Sequence, residues 1–257
     1  MRRILLSLAL LLVIGTAAAA ALAQDGRPLD FLGGRREALP EPGPNQPYDG
    51  RLTFVRLRYN MGFAGRRWEP PWAHDYPTAD VHMMKILQEL TLTRPRLDGS
   101  NVMSLADPDL HNYPIAYMSE PGFWSMDEDE VKGLRAYLAK GGFMIFDDFD
   151  VQEFYNLEGQ LKRVLPESRI VELDLSHPIF DSFYRIKTLD FYTYRGKAIF
   201  HGVFEDNDPT KRLLMIINTN NDLSELWEFS DEGMFPIEVS NEAYKFGVNY
   251  IVYALTR

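Results

Sequence analysis

The 257-residue chain contains no cysteine. That excludes a disulfide framework, a thiolate zinc site, an iron–sulfur cluster and a cysteine nucleophile. Basic runs are missing too, since no Lys/Arg cluster exceeds the pairs Arg35-Arg36 and Arg66-Arg67. With a formal charge of −10, the chain is repelled by phosphate backbones and anionic membrane surfaces, so nucleic acid is not expected as a partner. There is no G-x-S-x-G elbow, no G-x-x-x-x-G-K-[ST] loop and no G-x-G-x-x-G fingerprint. An ordinary α/β-hydrolase, P-loop NTPase or dinucleotide enzyme is therefore disfavoured, and no cofactor is expected.

What is present starts with an export pattern. Arg2 and Arg3 precede an apolar run over residues 4–14, and small residues follow up to Ala21-Leu22-Ala23. This is the three-part pattern of a signal peptide over residues 1–23, with cleavage after Ala23. A retained N-terminal anchor is the rival, because residues 4–23 are about long enough to span a bilayer. With cleavage, the formal charge goes from −10 to −12 and no membrane span remains. The expected location is periplasmic or secreted. Residues 24–50 hold five prolines and five glycines, and they read as a flexible arm.

From residue 51 to 257, strand-like and helix-like stretches alternate, which argues for one α/β domain with a mostly parallel sheet. Strands are expected at residues 52–59, 115–118, 143–146, 198–204 and 212–217. Helices are expected at 78–91, with Met83, Ile86, Leu87 and Leu90 on one face, at 151–164, and after Ser240. Ser125 and Glu128 form an S-x-x-E capping box for another helix, whose end is set by Gly141-Gly142.

Sites in such sheets form beyond the carboxyl ends of the strands. There the sequence places Arg56, Arg58 and Tyr59, with the two arginines on one strand face together with Leu52 and Phe54. Ion pairs and anion binding are both open for them. A loop rich in aromatic and acidic residues follows, including Trp68, Glu69, Trp72, His74, Asp75, Tyr76 and Asp80. It suits a sugar or other polar ligand, with helix capping by Asp75 or Thr78 as the plain alternative. Two further strand ends carry Glu120 with Trp124, and Asp147-Asp148. A carboxylate just past a buried strand has its pKa raised unless something pairs it. Glu120, Asp147, Asp148 and His177 are the catalytic candidates. Asp147 and Asp148 should point opposite ways on an extended strand, so either one would work with Glu120. A hard cation held by Asp148 and Asp150, with Asp174 or His177, lacks any supporting ligand spacing, and no metal site is assigned.

These landmarks together resemble a bacterial family known only as domain of unknown function 4159. The resemblance rests on Phe54-Val55-Arg56-Leu57-Arg58-Tyr59, Asp75-Tyr76-Pro77-Thr78-Ala79-Asp80 and Tyr113-Pro114-Ile115-Ala116-Tyr117-Met118. It continues through Gly141-Gly142-Phe143-Met144-Ile145-Phe146-Asp147-Asp148-Phe149, His177-Pro178-Ile179-Phe180, Asn220-Asn221-Asp222-Leu223 with Trp227, and Gly247-Val248-Asn249-Tyr250. The resemblance implies a class I glutamine amidotransferase-like fold: a flavodoxin-like, doubly wound sheet with helices on both faces. True amidotransferases carry a cysteine at the elbow where this chain has Asp147-Asp148, so glutaminase chemistry is excluded here. Family members linked to von Willebrand-type and MoxR-ATPase systems suggest an envelope protein partner. Two functions follow as expectations. One is a non-catalytic module of the cell envelope that binds a small molecule, a glycan or a protein. The alternative is a carboxylate-dependent hydrolase or lyase acting on a glycan, with Trp72 and Trp124 as aromatic walls.

Overall fold

The computed structural model describes residues 42–61, 70–190, 192–193 and 196–257. The signal-peptide pattern, residues 24–41 of the arm, and Trp68 and Glu69 lie outside the described residues. The chain builds a mixed α/β fold around a mostly parallel sheet. The strands are β1 (Val55–Leu57), β2 (Asn60–Met61), β3 (Asn101–Met103), β4 (Ile115–Ser119), β5 (Trp124–Ser125), β6 (Phe143–Phe149), β7 (Ile170–Glu172), β8 (Tyr192–Thr193), β9 (Gly196–Lys197), β10 (Ile199–Phe204) and β11 (Leu213–Thr219). The helices are α1 (Thr78–Leu90), α2 (Glu128–Ala139), α3 (Phe154–Val164), α4 (Leu223–Glu228) and α5 (Ile237–Thr256).

Seven strands form the central sheet in the order β3-β1-β4-β6-β11-β10-β7. β3, β1, β4, β6 and β11 run parallel, and β10 is antiparallel to both of its neighbours. Period-two alternation divides the strand residues between two cores. Ile115, Tyr117, Phe143 and Ile145 pack with α1, α4 and α5, while Ala116, Met118, Met144 and Phe146 pack with α2 and α3. The central strands are therefore apolar on both faces, as parallel strands covered by helices should be.

The five expected strands and the expected helices are present. The edge strands β3 and β7 and the short helix α4 were not anticipated. Some local details also differ. The α2 capping box is Asp127 with Glu130, not Ser125 with Glu128. The Asp127 carboxylate accepts from Asp129 N at 2.9 Å and Glu130 N at 2.8 Å, and Glu130 accepts from Asp127 N at 3.1 Å. Ser125 is instead paired with Asn60 in β2–β5. α1 buries Ala79, Asp80, Met83, Met84 and Leu87, with Ile86 packed partly buried against the same core and Leu90 exposed. Ser240 lies buried inside α5, which starts at Ile237, rather than capping it.

α2 ends as expected at the glycine pair. Gly141 has φ 105°, its N–H bonds Leu138 O at 3.2 Å, and Gly142 N–H bonds Tyr137 O at 2.9 Å. This is a Schellman close, which needs a residue that tolerates the left-handed region. The last residues of the arm are exposed but hydrogen-bonded to the domain. Asn45 bonds Val102 N and O at 2.8 and 2.9 Å, and Gln46 accepts from Asn101 and from the Tyr113 hydroxyl. An open sheet edge offers unpaired backbone groups, and this segment satisfies those of β3.

Candidate functional site

The carboxyl ends of β1, β4, β6 and β11 meet at one edge of the sheet, and polar residues from each end converge there. β1 supplies the anchor. Arg56 is fully buried and its guanidinium makes a forked pair with Asp80 of α1, at 2.5 Å for the closest contact and 3.1–3.2 Å from Nε. Its remaining nitrogen donates to the carbonyls of Trp72 at 3.2 Å and His74 at 2.8 Å. Burial opposes the charge on Arg56, but Asp80 more than offsets it and raises the guanidinium pKa further. The ring of Tyr117 lies 5.0 Å from the guanidinium carbon and that of Tyr76 lies 5.9 Å away. Arg56, paired with Asp80, thus holds the 71–75 loop in place.

That loop carries His74 and Asp75 to the strand ends. His74 Nδ1 is 2.7 Å from Asp148 Oδ2, 3.7 Å from Glu120 and 3.8 Å from Asp75 Oδ1. Ser119 Oγ donates to the same Asp148 oxygen at 3.1 Å. Asp75 Oδ2 accepts from Ser224 Oγ of α4 at 2.5 Å, while its buried Oδ1 has no hydrogen-bond donor among the described residues. Three overlapping groups form here, each with its ligating atoms within 4.8 Å of one another: His74–Glu120–Asp148, His74–Asp75–Glu225 and Asp75–Asp148–Asp222. Asp75, Glu120 and Asp148 have φ values of 62°, 44° and 62°. Such left-handed backbone costs on the order of 1–3 kcal/mol per residue and collects at functional sites.

The electrostatics follow from burial and crowding. Burial alone would lower the His74 imidazole, but its bond to Asp148 and the charges of Asp75 and Asp148 raise it to about 11. Burial and the Asp222 charge push Asp148 up, with His74 opposing. The same two causes raise Asp147 to about 7 and Glu225 to about 7. Glu228 is raised to about 8 by burial and the Asp75 charge.

Asp147 faces a different set of partners. It accepts from Tyr117 Oη at 3.1 Å, Asn218 Nδ2 at 3.1 Å, and the N–H groups of Leu223 at 2.8 Å and Ser224 at 3.2 Å at the start of α4. It caps the start of α4 and joins none of the three groups around His74. The strand is not regularly extended at this point. Ile217 pairs with Phe146 but Thr219 pairs with Phe149, so a bulge at Asp147-Asp148 aims the two carboxylates.

Several other expected site residues go elsewhere. Arg58 is exposed and forms no ion pair among the described residues; its backbone N–H bonds Met103 O at 2.9 Å. It lies past the end of β1, so the period-two face shared with Arg56 no longer applies. Trp124 is buried, its ring tilted against Phe146 at 5.7 Å, so it offers no exposed ligand wall. Trp72 is half-buried against Tyr76, at 6.2 Å. Tyr59 donates to Ser119 O at 2.9 Å and Glu120 O at 2.7 Å, tying two strand ends together. His177 accepts from Ile179 N at 3.3 Å and packs on Phe204 and Tyr253. Because Phe204 pairs with the first residue of β11, His177 lies at the amino end of the sheet, away from the cluster. Asp150 and Asp174 join none of the three groups, so the cation set weighed from the sequence is not assembled.

Asp222, Glu225 and Glu228 were missed. Asn220-Asn221-Asp222 directly follows an apolar strand, the same signal that singled out Glu120 and Asp148.

A family model described as Domain of unknown function (DUF4159) matches residues 53–255. The chain belongs to this family. The match begins just before β1 and ends within α5, so all the strand ends of the acidic cluster fall inside the DUF4159 domain. No curated protein matches the chain. Among the described residues, no helix is long and apolar enough to cross a membrane.

Proposed function

We propose that this DUF4159 domain is a non-catalytic binding module that receives a positively charged group at the carboxyl edge of its sheet. One observation carries this: carboxylates from four separate elements surround a single imidazole, so negative charge is in excess within a few ångströms. A cation relieves that excess without rebuilding the fold. Stacking of a glycan lacks support, because Trp124 is in the core. Hydrolysis by Glu120 with Asp148 lacks support as well, because Asp148 is fully buried and bound to His74 and Ser119.

The finer fold belongs to the same proposal. The five parallel strands, counted along the chain, lie in the order 2-1-3-4-5, which supports a doubly wound, flavodoxin-like sheet. That sheet is compatible with descent from an amidotransferase-like ancestor. The export pattern over residues 1–23 supports a periplasmic or secreted location, with an envelope component as partner.

The test is a thermal-shift panel on the full-length chain. Putrescine and calcium chloride serve as cationic probes, sodium acetate as the anion and chitobiose as the neutral sugar. A cation at 100 times its Kd should stabilise by about 2.7 kcal/mol. For a domain of this size that is roughly 5–10 °C. Stabilisation by chitobiose or acetate, with no response to either cation, overturns the proposal.

A further inference from the structure

We infer that Asp75, Asp148 and Asp222 are the ligands of a calcium-sized divalent cation. This rests on the cationic reading of the same site and narrows it to one class of occupant. Each carboxylate comes from a different element: the loop before α1, the bulged end of β6, and the residue that caps α4. All three are buried, with 4%, 0% and 1% of their surface exposed, and their ligating oxygens lie within 4.8 Å of one another.

Crowding of carboxylates is not sufficient evidence for an ion. Asp75 supplies the independent observation. Its Oδ2 is satisfied by Ser224, but its Oδ1 is buried, has no donor among the described residues, and lies 3.8 Å from His74 Nδ1. A buried acceptor left without a donor is costly, and a metal ion takes up that lone pair directly.

Coordination habit selects the ion. Two oxygens bound to one calcium at 2.3–2.6 Å can be at most about 5 Å apart, so atoms within 4.8 Å of one another can share it. Magnesium demands near-ideal octahedral geometry and gives up its water reluctantly, which carboxylates fixed on three separate elements do not favour. The oxygen-only set also suits a hard cation rather than a thiophilic one. His74 is then a positioning residue that holds Asp148 through the 2.7 Å contact. Glu120 and Glu225 stand close enough to orient water in the remaining coordination positions. The sequence offered no such motif because the ligands come from three distant segments.

The experiment is isothermal titration of the EDTA-stripped full-length chain with calcium chloride, and separately with magnesium chloride. One site is expected, with calcium bound at least ten-fold tighter than magnesium. Asp222→Asn retains a helix-capping side chain, and Asp75→Asn retains the acceptor for Ser224. Each should weaken calcium at least ten-fold while leaving the melting temperature in EDTA equal or higher. Asp98→Asn, on an exposed side chain, should leave calcium affinity unchanged. Calcium that gives no heat at millimolar concentration with the folded protein, or binds equally to all variants, overturns the inference. A putrescine titration in EDTA separates the two levels. Binding of putrescine without calcium removes the metal site and keeps the cationic reading, and binding of neither removes both.

Discussion

Replacing Asp80 by Asn keeps the shape of the side chain and removes its charge beside a guanidinium that is fully buried. Arg56 cannot shed its proton, so the variant leaves an uncompensated buried charge, and the amide nitrogen of Asn faces the same donors. Breaking a buried pair in this way costs about 3–5 kcal/mol. For a domain of this size, that lowers Tm by roughly 6–20 °C. Urea unfolding, with the slope compared between variants, measures the loss without assuming a heat capacity. The double variant Arg56→Met/Asp80→Leu should recover part of the loss, because both charges are gone. It should not recover ligand binding, because the carbonyls of Trp72 and His74 lose the donors that fix the loop. A midpoint for Asp80→Asn within about 1 kcal/mol of the parent, at unchanged slope, would refute the claim that this pair is a dry anchor. Full cation affinity in the double variant would refute its role in positioning His74 and Asp75.

Gly141→Ala should cost roughly 1 kcal/mol or more, because a Cβ is disfavoured at φ 105°. Gly142→Ala should cost more, since its Cβ would lie 2.4 Å from the Tyr137 ring; equal melting temperatures for both variants and the parent would contradict this. Asp127→Ala should destabilise by about 1 kcal/mol through loss of the α2 capping box, read as a lower urea midpoint. A chain starting at Tyr48 should be less stable than one starting at Pro42 by about 2–4 kcal/mol, because it loses the Asn45 and Gln46 bonds to β3 and Tyr113 at about 1 kcal/mol each. The pH dependence has a definite sign in cation-free buffer. Asp147, Glu225 and Glu228 are raised to about 7–8, so the folded state holds protons there that the unfolded state releases near pH 4. Their contribution is lost as pH rises from about 4 to 8. His74, raised to about 11, contributes fully below its unfolded value and loses that as pH rises from about 6.5 through 11, so all four groups act in the same direction. Urea midpoints that rise steadily from pH 5 to pH 9 would contradict this.

Much of the fold was legible in the chain. Unbroken apolar runs at residues 115–118 and 143–146 marked the strands Ile115–Ser119 and Phe143–Phe149 as covered on both faces, and Gly141-Gly142 marked a helix end. These signals are local: each depends on neighbouring side chains and on what one backbone position tolerates. The rule that sites form at the carboxyl ends of parallel strands also points to His74, Asp75, Glu120 and Asp148 from the sequence.

Tertiary structure decided the rest, because the deciding partners are far apart along the chain. Arg56 and Arg58 look equivalent as text, yet one is locked to Asp80 and the other is exposed, since β1 ends at Leu57. Asp147 and Asp148 differ only through a bulge that gives one to the start of α4 and the other to His74. Edge strands as short as Asn101–Met103 carry too few residues to show a period, and the docked Asn45-Gln46 segment that covers this one is polar. The acidic cluster itself exists only once the ends of β4, β6 and β11 and the loop before α1 are brought side by side. Its excess charge arises from through-space distance, which the order of residues does not encode.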